Sequence, residues 1–444
     1  MARPRKNVVK NQPSLLTSDT VVEIPVEEQP YPLPEGWKWT YWGSCGDFIA
    51  GNAFKPVFQG KKGLLYPFYK VGSLKYSDSK GYLYDAENSI SEEIQNIIKS
   101  SIIPEYSIIF AKIGEAIRLN RRSINEKKCC IDNNLMAFVP KKTIYKYTYY
   151  WSLHIDLYKY ANATTVPAIR KTDLEKIIFP FPPIDEQQRI VDRIESLFAK
   201  LDEAREKAEA VLDGFESRKA AILHKAFTGE LTAKWRKKNR IKKENNSIKI
   251  KDILSDIKYG TSEKSDYTYT GFPVIRIPNI VDNTVNLDDL KFLKSNDPLN
   301  YDLVEKNDIL MIRSNGSREL VGKCALIDET IVGKAYASFL IRLRPKTIVN
   351  AKYLLNFMSS SLARNQLFSK AKSSAGINNI NSKEICSVDI WLPEKEEQNE
   401  IVRILDTLLE KERQVKDAAE AVLERIDLMK KAILAKAFRG ELTR

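Results

Sequence analysis

The chain has 444 residues, 43% of them hydrophobic and 29% charged, enough apolar side chain for packed cores and too much for a globally disordered polymer. Its length allows two or three domains. A formal net charge of +13 and a pI near 9.2 make a polyanion the natural partner, and with no run of 18 apolar residues no membrane-spanning helix is expected.

Residues 1–30 are polar, Lys and Arg first and Glu later, and read as a flexible tail. The basic start MARPRKNVVK has no apolar core after it and is not a secretory signal. Residues 31–183 form a first globular domain in which short β-rich runs, SIIFAKIG (107–114) and LMAFVP (135–140), precede a helical pattern, YTYYWSLHI. Residues 184–232 read as one long helix. Pro182 and Pro183 block an earlier start, Asp185 with Gln188 resembles a capping box, and Gly229 suits a left-handed end. The basic linker 233–247, which opens AKWRKKNRIKKENN, reads as either a solvated tether or a phosphate-backbone contact, with the tether the preferred reading. Residues 248–393 form a second domain, with PVIRIPNI (273–280), DILMIRSNGS (308–317), FLIRLRP (339–345) and a closing AKYLLNFMSS. Residues 394–444 are a second long helix and its C-terminal end, where Gly440 takes the place of Gly229.

The chain repeats itself. Pro182–Thr232 aligns with Pro393–Thr443 without a gap at an offset of 211, with 23 of 51 positions identical. Pro182, Glu186, Gln187, Ile190 and Val191 recur as Pro393, Glu397, Gln398, Ile401 and Val402, and KAFTGELT (225–232) recurs as KAFRGELT (436–443). Apolar residues step by four and three through Ile190, Ile194, Leu197, Leu201, Ala204, Ala208, Val211, Phe215 and Ile222, interrupted by Arg218. The second copy runs through Ile401, Leu405, Leu408, Val415, Ala419, Val422, Ile426, Met429 and Ile433, interrupted by Glu412. This is a coiled-coil seam, and each helix, roughly 43 residues and ~65 Å long, needs a partner that the other copy supplies. The expected fold class is α+β: two globular domains separated by two long helices forming an antiparallel coiled coil, a pseudo-two-fold tandem repeat.

Catalytic signatures are missing. There is no Asn-Pro-Pro-aromatic methyltransferase motif, no glycine cluster after a strand and no GxSxG, and His154 and His224 form no hydrolytic pair. GSRELVGKC (316–324) approaches a phosphate loop but has one residue too many between its glycines and Cys324 where Ser or Thr would hold magnesium. The Asp/Glu-x-Lys triplets at Asp78, Glu126, Asp256 and Asp289 lack a second acidic pair nearby. Cys45, Cys129, Cys130, Cys324 and Cys386 form no CxxC, so no metal site is expected, and scattered thiols suit a reducing cytoplasm.

The chain resembles the specificity subunits of type I restriction-modification systems. LPEGW (33–37), FPPIDEQQRIV (181–191), LPEKEEQNEIV (392–402), AILHKAFTGELT (221–232), AILAKAFRGELT (432–443), DILMIRSNGSRELVGKCALI (308–327) and IIFAKIGEAIRLNRRSINEKKCCIDNN (108–134) carry the resemblance, in order, from Leu33 onward. It departs in the residues before Leu33 and in IFAKIGE, which replaces the RSNGS type of turn. The resemblance implies two target-recognition domains on double-stranded DNA, and assembly with two methyltransferase subunits and two restriction motor-nuclease subunits. S-adenosylmethionine, ATP and magnesium would then be bound by those partners, with this chain cytoplasmic, non-catalytic and holding no cofactor. The competing reading is a coiled-coil scaffold that does not read DNA.

Phosphate contacts supply affinity and base edges supply specificity; Arg suits guanine, and Asn or Gln suits adenine. Candidate readers are therefore Arg, Lys and Asn in turns beside strands. The first domain offers Lys70, Lys75, Lys112, Arg118, Asn120, Arg121 and Arg122; the second offers Arg276, Arg313, Ser314, Asn315, Ser317 and Arg318. Two domains on a rod would meet one DNA face about a helical turn, roughly 10 bp, apart. That predicts a bipartite target with an unread spacer. The recurring helix ends, Glu186, Gln187, Ile190, Phe227 and Glu230 with Glu397, Gln398, Ile401, Phe438 and Glu441, are candidates for docking two partner copies, with closure of the fold as the other reading.

Overall fold

The structure is a computed structural model that describes residues 21–442 apart from 85, 163–164, 245–246, 371–372 and 375–376; residues 1–20 of the expected tail lie outside it. The chain divides into two compact units, one made of Met1–Lys207 and Val422–Arg444, the other of Ala208–Ala421. Each unit thus takes one globular domain, the first part of the helix that follows it, and the last part of the other helix.

In the first unit the strands are β1 (Lys38–Tyr41), β2 (Gly46–Ala50), β3 (Tyr66–Tyr69), β4 (Ser89–Ile90), β5 (Ile108–Ala111), β6 (Arg122–Ile124), β7 (Cys130–Ile131), β8 (Leu135–Pro140) and β9 (Ile178–Phe181). Helices α1 (Glu92–Ile98), α2 (Tyr145–His154) and α3 (Lys171–Glu175) lie among them, and α4 (Ile184–Asp213) follows. The antiparallel central sheet has the order β2-β8-β5-β6; a smaller sheet is β4-β3-β7, with β3 and β7 parallel, and β1 pairs with β9. Strand β5, IIFA, is apolar at every position because it is covered on both faces. Trp42, fully buried, meets Phe48, Phe110, Phe138 and Trp151 at ring-centroid distances between 4.8 and 5.7 Å. Ile190 and Ile194 of α4, and Leu434 and Phe438 from the last helix, complete this core.

The second unit repeats the plan. It holds α5 (Phe215–Phe227), α6 (Ala233–Asn239), β10 (Ser247–Lys249), α7 (Ile250–Ile253), β11 (Leu254–Tyr259), β12 (Pro273–Ile275), β13 (Ile280–Val281), β14 (Thr284–Val285), β15 (Lys291–Phe292) and β16 (Ile309–Ile312). These are followed by β17 (Ser314–Asn315), β18 (Cys324–Leu326), β19 (Ala335–Tyr336), β20 (Leu340–Pro345), α8 (Ala351–Met358), α9 (Ser361–Lys370), β21 (Ser373–Ser374), β22 (Ile377–Asn379), α10 (Ser382–Cys386), β23 (Asp389–Trp391) and the start of α11 (Lys395–Phe438). The sheets β11-β20-β16-β18, β15-β12-β19 and β10-β23 match β2-β8-β5-β6, β4-β3-β7 and β1-β9 in order and direction. The duplication therefore includes the domains. The hairpin β13-β14 and the ribbon β17-β22-β21 belong to the second unit alone among the described residues. Leu223, Ala226 and Phe227 of α5 and Ile401, Val402 and Leu405 of α11 enter the main core of this unit.

Within each unit the two long helices run antiparallel. In the first, Asp202 pairs with Lys430 at 2.5 Å and Arg205 with Asp427; in the second, Arg218 pairs with Glu412 at 2.8 Å. The two residues that interrupt the apolar pattern therefore neutralise each other.

Five expectations need correction. The first long helix is not continuous: it stops at Asp213 and restarts at Phe215. The guanidinium of Arg218 folds back and donates to the Val211 carbonyl at 3.1 Å, over Gly214, where a Cβ would lie 2.4 Å from Arg218 Nη1. Gln188 bonds Asp192 rather than forming a capping box with Asp185. In the second helix Val415, Val422 and Met429 are exposed at 46, 42 and 45%. The covered line passes instead through Glu412, Lys416 and Ala419 in one unit and Leu423, Ile426 and Lys430 in the other. The ammonium groups of Lys416 and Lys430 stand over the rings of Phe215 and Phe198, 5.3 and 5.0 Å from their centroids, so charged residues occupy places that an apolar pattern assigns to their neighbours. Finally, residues 21–30 are not a free tail, since Ile24 is buried and bonds Trp39, and the linker 233–247 is not a free tether, since it contains α6.

Candidate nucleic-acid interface

The candidate readers fall at matching places in the two units. Strand β3 is followed by Lys70 and its counterpart β12 by Arg276. Each opens a tight turn closed by a side chain three residues on: Lys70 N–H donates to Ser73 Oγ at 3.0 Å and Arg276 N–H to Asn279 Oδ1 at 2.8 Å. Lys75 ends the short helical turn Val71–Lys75 that follows β3, and the other candidates lie on the connections β5–β6 and β16–β18, which join equivalent central strands.

On the first connection, Gly114 (φ 79°) and Asn120 (φ 49°) take left-handed backbone, which turns the chain sharply and presents Arg118 and Arg121 at the surface. Arg118 stands over the ring of Tyr158, 3.7 Å from its centroid, and pairs with Glu115 at 2.8 Å. Arg121 lies close enough to exposed Lys75 to act on its charge. Lys112 is half-buried at the foot of the loop, and Lys70 reaches Gln59 Oε1 at 3.0 Å.

Two candidates are internal. Arg122 is 5% exposed and donates to Asn120 Oδ1 at 2.7 Å and to the Arg121 carbonyl at 2.9 Å. Burial pulls its pKa down, so its charge is held against desolvation rather than offered to a ligand. Asn120 also donates to the Ile155 carbonyl at 3.1 Å. Both brace the turn on which Arg118 and Arg121 stand.

In the second unit Arg313 donates to the Ser338 carbonyl at 3.1 Å and lies over Tyr259, 4.7 Å from its centroid. Ser314 and Asn315 pair with Asn379 and Asn378 across β17 and β22. Asn315 Oδ1 accepts from Ser317 N–H at 2.8 Å, shaping the loop that exposes Ser317 and Arg318. Arg318 packs on Phe368 at 4.9 Å. Arg276 bonds Asp289 Oδ2 at 2.9 Å with a side chain 19% exposed, so the acid already occupies it.

Sequence reasoning missed Tyr259, Tyr267, Lys291, Asn378 and Asn379. Tyr267, 60% exposed, lies under Lys291 at 4.9 Å and Arg276 at 5.9 Å. Its signal was the interleaving of Tyr and Lys in EKSDYTYT and the Asn-rich INNINS; the Asn run comes beside RSNGS only through β-pairing.

The candidate docking residues are largely used inside the fold. Gln187 Oε1 accepts from Ile144 N–H and its Nε2 donates to the Pro182 carbonyl, both at 2.9 Å. Gln398 repeats this on Asn350 N–H and the Pro393 carbonyl, both at 2.8 Å. Ile190, Ile401, Phe227 and Phe438 are core residues. Glu397, buried, pairs with Arg236 and accepts from Thr232 at 2.5 Å, and Glu186 pairs with Arg189. Only Glu230 and Glu441 of the ten are exposed.

Among the described residues no group of three or more His, Cys, Asp or Glu is placed to hold a metal ion, and no helix is long and apolar enough to cross a membrane.

Comparison with known proteins agrees with this architecture. The chain is 32% identical over 277 residues to the type I restriction enzyme EcoKI specificity subunit of Escherichia coli K12, covering 62% of this chain and 60% of that protein. It is 28% identical over 302 residues to the EcoBI specificity subunit of Escherichia coli, covering 64% and 62%. The matched portion thus spans about six tenths of the length of these curated relatives. Its fold is similar to a chain in a structure described as the basis of complex assembly and conformational transition of the type I R-M system, with a TM-score of 0.71 at 19% identity, covering 93% of this chain and all of that one. It is also similar to the HsdS subunit from Thermoanaerobacter tengcongensis, with a TM-score of 0.60 at 18% identity, covering 93% and 99%. The family model for the type I restriction modification DNA specificity domain matches twice, over residues 34–211 and 242–425. The chain therefore belongs to the family of type I restriction modification DNA specificity proteins, with two such domains in tandem.

Proposed function

We propose that this chain is the sequence-specific DNA-binding subunit of a type I restriction-modification complex. Each unit reads one block of a bipartite double-stranded target, through Arg118 and Arg121 with Lys75 in the first and through Arg313, Ser314, Asn315, Ser317 and Arg318 in the second. Lys70 and Lys112 add phosphate contacts. Two methyltransferase subunits and two restriction motor-nuclease subunits join it; they bind S-adenosylmethionine, ATP and magnesium, and this chain is a non-catalytic cytoplasmic scaffold for them. Exposed Glu230 and Glu441, at matching helix ends, are the docking candidates.

The observation that carries this reading is the equivalence of the β5–β6 and β16–β18 connections: the same frame holds different Arg-bearing loops. Two similar frames with unlike surfaces suit two unlike blocks of sequence.

The test is to co-express the chain with a type I methyltransferase subunit from the same source and to map N6-methyladenine across the host genome by single-molecule sequencing. A split motif with two unlike blocks and a fixed spacer is expected. Absence of new methylation despite a soluble complex would favour a scaffold that does not read DNA. A single unbroken motif would mean that only one unit reads.

A further inference from the structure

The segment 233–243, AKWRKKNRIKK, carries seven cations in eleven residues and no acid. It is fixed in place within the second unit. Arg236 is buried and pairs with buried Glu397, bonds Thr232 Oγ1 at 2.9 Å and reaches the Gly229 carbonyl at 2.5 Å. Lys243 holds the far end by donating to the Thr228 carbonyl at 2.8 Å, beside the ring of Trp391. Between these anchors α6 and the left-handed residue Arg240 (φ 57°) set the backbone.

The remaining cations point outward. Lys234, Lys237, Lys238, Arg240 and Lys242 are exposed, and none makes an ion pair with another described residue. This contrasts with α11, where Arg403, Arg413 and Lys416 each have an acid one turn away. Lys234 stands one turn from both Lys237 and Lys238, and it lies in the first turn of α6, where the helix dipole opposes a cation. An anchored run of unpaired like charges is unfavourable on its own and favourable against a regular polyanion.

We infer that residues 234–242 are a sequence-independent phosphate contact to duplex DNA outside the bases read by the second unit. The inference rests on the DNA-binding reading above. Its route to the recognition loop is α5, which leads into this segment and packs against α9, on whose Phe368 ring Arg318 and Arg364 stand at 4.9 and 5.2 Å.

The experiment uses the full chain and a labelled ~40-bp mixed-sequence duplex, with affinity measured by fluorescence anisotropy from roughly 50 to 200 mM salt. The variant is Lys234→Gln/Lys237→Gln/Lys238→Gln/Lys242→Gln, with Lys→Arg at the same four positions as the charge-preserving control. Each phosphate contact removed makes the slope of log K against log salt shallower by about 0.9, so a change of about 2 to 4 is expected, with the melting temperature unchanged and the wild-type slope kept by the Arg control. A Gln variant with the wild-type slope overturns this inference and leaves the function intact. The same holds if the Gln variant keeps its slope but no longer co-purifies with the methyltransferase, which would assign the segment to a protein surface. A wild-type chain that binds no duplex overturns the DNA-binding reading itself.

Discussion

Gln187 and Gln398 stand 211 positions apart and make the same two bonds, one to the N–H at the start of α2 or α8 and one to the carbonyl of the proline that precedes the long helix. A side-chain amide has one acceptor and two donors, which is what this junction needs. Gln398→Ala leaves the Asn350 N–H without its acceptor, and a loss of about 1–3 kcal/mol in urea denaturation is expected, with methyltransferase assembly unaffected at permissive temperature. Loss of assembly without loss of stability would return Gln398 to the docking surface. Glu397 answers a similar question with charge: its side chain is 5% exposed and that of Arg236 8%. Glu397→Ala strands a buried guanidinium and is expected to destabilise the chain by about 3–5 kcal/mol, while Arg236→Met with Glu397→Leu recovers most of that loss. Thermal melting of the three variants decides it. At this scale the repeat in the sequence marked the right residues, but a matched pair of polar side chains looks the same whether it faces a partner or a backbone.

Two elements depart from their sequence patterns because of contacts across the helix pair. Arg218 and Glu412 break the apolar stripe, and at the offset of 211 their counterparts are Met429 and Leu201. The second unit has an ion pair where the repeat pattern elsewhere supplies two apolar residues. Arg218→Met with Glu412→Leu is expected to leave stability unchanged or raise it by up to about 2 kcal/mol, since a half-exposed pair contributes little. It also frees the Val211 carbonyl from the guanidinium. A lower melting temperature would show that the break at Gly214 and its ion pair stabilise the unit. Both long helices and their glycine ends were legible, because a four-three stripe and a left-handed residue are local properties; Gly229 and Gly440 have φ of 78° and 72°. The break at Gly214 was not legible, because it depends on where the Arg218 side chain folds, and neither were the covered places of Lys416 and Lys430, whose ammonium groups stand over Phe215 and Phe198.

For the whole molecule the two units are expected to act as separable readers. Arg118→Ala with Arg121→Ala should relax one block of the methylation motif and leave the other unchanged, at about 1–3 kcal/mol for each base edge no longer read. Changes in both blocks from a first-unit variant would contradict two independent readers. Inserting one heptad in both long helices, in register, should lengthen the unread spacer; a constant spacer after that insertion would remove the helices as its ruler.

The amino-acid sequence by itself determined the duplication, the α+β class of each domain, the long helices and the family, because these reside in periodicity and in local motifs. Tertiary structure alone decided which of the marked residues reach the surface. Arg122, Asn120 and Arg276 carry the chemistry of DNA readers but brace turns, Gln187 and Gln398 close the fold, and Lys234 to Lys242, for which a tether was the preferred reading in sequence, are held between Arg236 on Glu397 and Lys243 on the Thr228 carbonyl. The physical reason is the same in each case: a polar side chain has the same chemistry in sequence whatever its partner, and only packing determines whether that partner is the backbone, another side chain or solvent.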